Sequence, residues 1–210
     1  MENFDHPIFL ESIHFIKSQL GETGLENLEQ DVLERMIHSS GDFAIKELLR
    51  FSPKACEKAI DALNSGASII TDTSMAAEAI KPMASRTLNT KVFSCLKWAP
   101  KHCPQNATRT SLGIKFALQD FVENKGPNCS PVVVIGSSPT ALEIVLDLSK
   151  ESSYQPPLII GMPVGFIGVI NSKERLLRSN LNFVCLQGNR GGASLAAACI
   201  NALLRASLNR

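Results

Sequence analysis

The chain has 210 residues, is 44% hydrophobic and carries a formal charge of +1. That length and apolar content suit a single domain, 1–210, with a real core. A charge near zero exerts no global pull on nucleic acid or an anionic membrane, so an anionic ligand must be met by local groups. The 6 cysteines (Cys56, Cys95, Cys103, Cys129, Cys185 and Cys199) form no CxxC pair and have no paired histidines beside them. A zinc site is therefore not expected. The thiols read as reduced, which fits a cytoplasmic protein. The opening Met1-Glu-Asn-Phe-Asp-His6 lacks the basic and apolar regions of a signal peptide, and no apolar run is long enough to span a bilayer.

The predicted elements alternate between helix and strand. Ile8, Ile13, Ile16 and Leu20 predict a helix over Pro7–Leu20, closed by Gly21. A second helix is expected from Leu25 to Ile37, stopping at His38-Ser39-Ser40-Gly41-Asp42. Ser52-Pro53 reads as an N-cap with proline at the first helical position, opening a helix towards Asn64. A strand over Ala67–Asp72, a helix over Ser74–Ile80 and a strand over Lys91–Leu96 follow. Lys97–Ala107 is expected to be irregular, and Thr108 to open a helix to about Val122.

Three late segments share one grammar of apolar run, glycine turn and helix start: Pro131-Val-Val-Val-Ile-Gly136, Leu158-Ile-Ile-Gly161 and Phe183-Val-Cys-Leu-Gln-Gly188. A small-residue helix, Ala193–Leu204, comes last. Such repeats predict an α/β fold, a three-layer sandwich whose mostly parallel, Rossmann-like sheet of about five strands is flanked by helices. Ligands of such sheets bind at the carboxyl ends of the strands, where these glycine turns fall.

Several residues near those turns can do chemistry. Gly136-Ser137-Ser138-Pro139-Thr140 offers amides and hydroxyls at a helix start, which suit a carboxylate or phosphate. It reads equally as a capped turn with Ser138 as N-cap. The turn has neither GxGxxG spacing nor a P-loop lysine. Gly161-Met-Pro-Val-Gly-Phe166 predicts a stiff turn that suits either a wall against a flat ligand or plain packing. Arg190 before Gly191-Gly192 is an anion clamp or a solvated side chain. Arg109, in the hydroxyl-capped start Thr108-Arg-Thr-Ser111, is another carboxylate partner by form. Asp72 is expected to cap the Ser74 helix. His38, at a helix carboxyl end beside Ser39, Ser40 and Asp42, is either a cap or a group that exchanges a proton near neutral pH. The helix end and a nearby carboxylate both favour its cation.

Taken together, these segments resemble the precorrin-8X methylmutase family of corrin biosynthesis. The resemblance rests on His6-Pro7-Ile8 with Glu11-Ser12, on Arg35-Met-Ile-His-Ser-Ser-Gly-Asp42, and on Gly66-Ala67 with Ile70-Thr-Asp72 and Met75. It continues through Thr108-Arg109, Gly136 with Pro139-Thr-Ala-Leu142, Gly161-Met-Pro-Val-Gly-Phe-Ile-Gly168, Ser172-Lys-Glu174 and Arg190-Gly-Gly192. It implies an isomerase that moves a methyl group from C11 to C12 of a corrinoid tetrapyrrole, metal-free or cobalt-bearing, without an organic cofactor. It also implies a homodimer. It puts the catalytic histidine at His38, a substrate-contacting serine at Ser12 and a substrate-facing arginine at Arg109. Ser39, Ser40, Gly136, Ser137, Ser138, Thr140 and Arg190 are the further groups expected to meet the substrate. The family usually has Asn-Ala where this chain has Ser137-Ser138. Two other readings compete with the mutase: a corrinoid carrier that does no chemistry, and a nucleotide-dependent enzyme on a Rossmann-like sheet.

Overall fold

The computed structural model describes residues 5–125, 130–151 and 154–209; Cys129 lies outside them. In chain order the elements begin with α1 (Pro7–Leu20), α2 (Asn27–Ser40), a short α3 (Ile45–Leu48), β1 (Leu49–Phe51) and α4 (Ala55–Asn64). Next come β2 (Ile69–Thr71), α5 (Ser74–Arg86), β3 (Val92–Ser94) and α6 (Arg109–Lys125). The chain ends with β4 (Val132–Ile135), α7 (Pro139–Glu151), β5 (Ile159–Gly161), α8 (Val169–Leu177), β6 (Phe183–Leu186) and α9 (Ala193–Ala206).

The strands form one sheet in the order β1-β6-β5-β4-β2-β3. Every pairing is parallel except β1 against β6. The sheet thus has six strands rather than the five expected. The unforeseen β1, Leu49-Arg-Phe51, is an edge strand of three residues with an arginine in its middle, too short and too polar to show a period. Its pairing with Val184–Leu186 comes from the tertiary fold.

Alternate residues of the buried strands feed two cores. Ile69, Val132, Val134, Ile160 and Val184 join α1, α2, α4, α5 and α9. Ile70, Val133, Ile135, Ile159 and Cys185 join α6 and α7 on the other face. This is the period-two side-chain alternation of strands covered by helices on both sides. The small-residue helix α9 is buried along most of its length, so its alanines serve the core.

Two helix boundaries differ from expectation for local reasons. Ser52-Pro53 does not cap α4, which starts at Ala55 behind Lys54 in a left-handed conformation (φ 58°). Ser52 Oγ instead accepts from Phe183 N at 2.9 Å and ties the end of β1 to β6. α5 runs on through Pro82, which is exposed, so water can satisfy the carbonyl one turn earlier. Thr108 caps α6 as expected: its Oγ1 accepts from Ser111 N, and Ser111 Oγ accepts from Thr108 N, both at 3.0 Å.

Buried thiols set the alkaline limit of this core. Burial pushes Cys56, Cys95 and Cys185 up to about 12, and Cys199 well above its ordinary value. An unfolded cysteine ionises near pH ~8.5, and each tenfold change in proton affinity on folding is worth about 1.4 kcal/mol. Above that pH the unfolded chain sheds protons that the folded chain keeps. Stability present below about pH 8.5 is therefore lost as pH rises towards 12. Lys173, its ammonium pushed down to about 8 by burial, works the other way, but it is one group against four. We expect the urea midpoint to fall from about pH 8.5 to about pH 10.5, and Cys199→Ala to reduce the slope. An unchanged midpoint would contradict the burial of these thiols.

Candidate functional site

The chain leaves β2 for β3 on one side of the sheet and leaves β4 for β5 and β6 on the other. The order therefore switches between β2 and β4, where open sheets form their ligand crevice. Asp72, the residue after β2, occupies that crevice and is fully buried. Its carboxylate accepts from the amides of Gly136 (3.2 Å), Ser137 (2.6 Å) and Ser138 (2.8 Å) at the start of α7. Two expectations are corrected here. Asp72 does not cap the Ser74 helix, since Thr73 does so by accepting from Ala76 N at 3.3 Å. The Gly136–Ser138 amides are not free for a substrate carboxylate, because the chain supplies its own anion to them. Burial raises the pKa of Asp72, and the amide hydrogen bonds oppose that rise.

Removing the carboxylate leaves three donors unpaired, two of them buried. Asp72→Ala should cost about 3 kcal/mol of stability, read as a lower urea midpoint. Asp72→Asn should also destabilise, because its amide group would face an N–H. A variant as stable as the parent would show that the crevice does not depend on this cap.

Beside the capped turn, four hydroxyls close a ring. The contacts are Thr108–Thr110 (3.0 Å), Thr110–Ser138 (2.7 Å), Ser138–Thr140 (2.9 Å) and Thr140–Thr108 (2.8 Å). Four protons serve four contacts, so each hydroxyl donates once within the ring. Thr108 and Ser138 also accept from Ser111 N and Ala141 N, the N-cap bonds of α6 and α7. Ser138 is thus the N-cap of α7, with Pro139 at the first helical position. Thr140 and Ser138 can donate to a substrate only if the ring opens. Sequence reasoning missed Thr108 and Thr110 as members; the repeated hydroxyl-x-hydroxyl spacing at two helix starts was the available signal. Arg109 stands next to the ring on the first turn of α6, exposed, with no carboxylate partner among the described residues.

His38 lies in the last turn of α2 and is exposed. Its imidazole meets the Phe9 ring edge-on, with centroids 5.1 Å apart, and the Arg35 guanidinium lies 4.8 Å from the centre of that same ring. Partial burial, then the positive charge of Arg35, lower the His38 pKa below its ordinary value. This reverses the expected direction, because partial burial and Arg35 outweigh the groups expected to favour the cation. Asp42 accepts from Ala44 N at 2.9 Å and pairs with Arg190. Ser40 Oγ donates to Met36 O at 2.9 Å and accepts from Asp42 N, so it finishes the helix. Ser12 Oγ donates to Ile8 O at 2.9 Å within α1. Phe9, which meets His38 edge-on, was not singled out from sequence, and Arg35 was quoted only as part of the motif around His38, with no role given to it.

Two loops finish the rim. The loop after β5 presents Phe166 (85% exposed) and Ile167 (89% exposed) to solvent. The loop after β6 carries Arg190 and is laced to it: Gly165 N donates to Asn189 O, and Gly192 N to Met162 O at 3.0 Å. At Gly191 an added Cβ would run into Met162 O, so only glycine allows this approach. Among the described residues no three His, Cys, Asp or Glu side chains could hold a metal ion, and no helix is long and apolar enough to cross a membrane.

A mostly parallel sheet, covered by helices on both faces, whose switch-point amides are taken by its own carboxylate defines a doubly wound α/β protein. The family model for precorrin-8X methylmutase (CbiC) matches residues 7–206. A cobalt-precorrin-8 methylmutase from Synechocystis is 33% identical over 95% of both chains. A precorrin-8X methylmutase from Pseudomonas aeruginosa is 33% identical over 93% of both. The solved precorrin-8X methylmutase of Thermus thermophilus superposes with a TM-score of 0.83 at 30% identity, covering 97% of this chain and 98% of that one. The chain therefore belongs to the precorrin-8X methylmutase family, isomerases of cobalamin biosynthesis.

Proposed function

We propose that the chain moves the methyl group of precorrin-8X or cobalt-precorrin-8 from C11 to C12, with His38 managing the proton. The observation that carries this reading is His38 itself: exposed on the rim, held by Phe9, and kept neutral at pH ~7 by partial burial and Arg35. A 1,5-sigmatropic shift carries a methyl group across a conjugated system within one molecule, so no atom enters or leaves. The protein must hold the ring and select its protonation state. Neutral His38 takes a proton from the macrocycle. The imidazolium so formed, a stronger acid than an ordinary one, returns it within the same turnover.

The remaining groups bind. Arg109 meets one substrate carboxylate, and Arg190 exchanges Asp42 for another. Ser12, Ser39 and Ser137 supply hydroxyls around the macrocycle, Thr140 does so when its hydroxyl ring opens, and Phe166 and Ile167 lie against the flat face. No organic cofactor is required. The free thiols among the described residues suit a reducing, cytoplasmic setting.

His38→Ala should lower turnover about a thousandfold while product binding changes only a few-fold, measured by the absorbance of the corrinoid. In the parent, kcat should follow a single ionisation with a midpoint below the ordinary histidine value. A rate that stays constant from about pH 5 to about pH 9, with chemistry shown to be rate-limiting, would remove the proton role. A carrier without chemistry would show no spectral change at all.

The same reading includes a homodimer. Ile8 (65% exposed), Phe15 (59%), Phe166 and Ile167 leave apolar surface that a second copy and the corrinoid would cover together. Sedimentation at micromolar concentration should give twice the 22.8 kDa chain mass. A monomer of full activity would sink the shared-site reading.

A further inference from the structure

Lys173 is 1% exposed, the largest of the fully buried side chains among the described residues. It projects from α8, and no carboxylate among those residues contacts it. Its ammonium donates to the carbonyls of Gly188 (2.8 Å) and Arg190 (2.5 Å), both in the loop after β6. The neighbouring Cys185 thiol, pushed up to about 12, provides no negative charge at neutral pH. The ammonium itself is pushed down to about 8 by burial, the mark of a cation held by dipoles alone. A methionine would fill a similar volume without desolvating a charge. What only the lysine offers is its N–H donors, and both hydrogen bonds they make end on the loop that carries Arg190.

We propose that Lys173 is a positioning residue for the methyl shift: it draws the 188 and 190 carbonyls inward and so presents the Arg190 side chain to the rim, where it pairs with Asp42 and meets substrate. This rests on the assignment of Arg190 to a substrate carboxylate. The lacing of this loop to Met162 and Gly165 makes the same pin hold the Phe166 platform in register with Arg190.

The test compares the parent with Lys173→Met, Arg190→Ala and the double variant in the methyl-shift assay with precorrin-8X. Lys173→Met should raise KM about tenfold and leave kcat within about threefold. Arg190→Ala should raise KM similarly, and the double variant should be no worse than Arg190→Ala alone, because both changes remove one interaction. If the two KM effects multiply, or if Lys173→Met lowers kcat and spares KM, the positioning role is overturned. If Arg190→Ala leaves KM unchanged, the substrate role of Arg190 fails instead, and the proposal with it. Should Lys173→Met not fold, Gly191→Ala displaces the same loop without touching the lysine and should reproduce the KM rise; an unchanged KM there overturns the proposal as well.

Discussion

The rest of the rim is built around one buried carboxylate. Asp72 stands where the strand order reverses and takes three amides from the start of α7. In a nucleotide-binding sheet those amides would face a phosphate. Here the chain supplies the anion itself, so β2 and β4 are joined across the crevice and the α7 start cannot wander. The hydroxyl ring depends on this, because Ser138 gives an amide to Asp72 and a hydroxyl to the ring. Through Thr108 and Thr110 the ring places the first turn of α6, and with it Arg109.

A second chain of dependence runs from α8. Lys173 holds the loop of Arg190, and Arg190 pairs with Asp42, four residues beyond His38. The imidazole is left with an aromatic edge and a nearby cation, and both burial and that cation favour its neutral form. At position 136 the two chains of dependence meet. A Cβ there would lie 2.8 Å from the Cα of Ala193, so the start of α9, just beyond Arg190, packs directly on the capped turn.

Much of this was legible. The glycine turns after β4, β5 and β6, the caps at Thr108 and Ser138, and the buried α9 follow from local preferences that residues express whatever surrounds them. The motifs around His38 and Gly161-Met-Pro-Val-Gly-Phe166 were enough to point to the family. What failed was partnership. Asp72, Asp42 and Ser52 were each assigned to a neighbour in sequence, yet each found its partner far along the chain: Gly136–Ser138, Arg190 and Phe183. A short acceptor such as Asp or Ser has several candidate donors nearby, and sequence does not rank them against donors that folding brings in.

By itself the sequence determined the alternation of helix and strand, the parallel sheet and the residues available to the rim, because these depend on spacing and on the backbone preferences of Gly, Pro, Ser and Thr. Only the tertiary structure decided the edge strand β1, the filling of the switch crevice by Asp72 and the direction in which the His38 pKa moves. Each of those depends on which charge or unpaired backbone edge ends up beside which other, and electrostatic and hydrogen-bond energies are set by distance in space rather than along the chain.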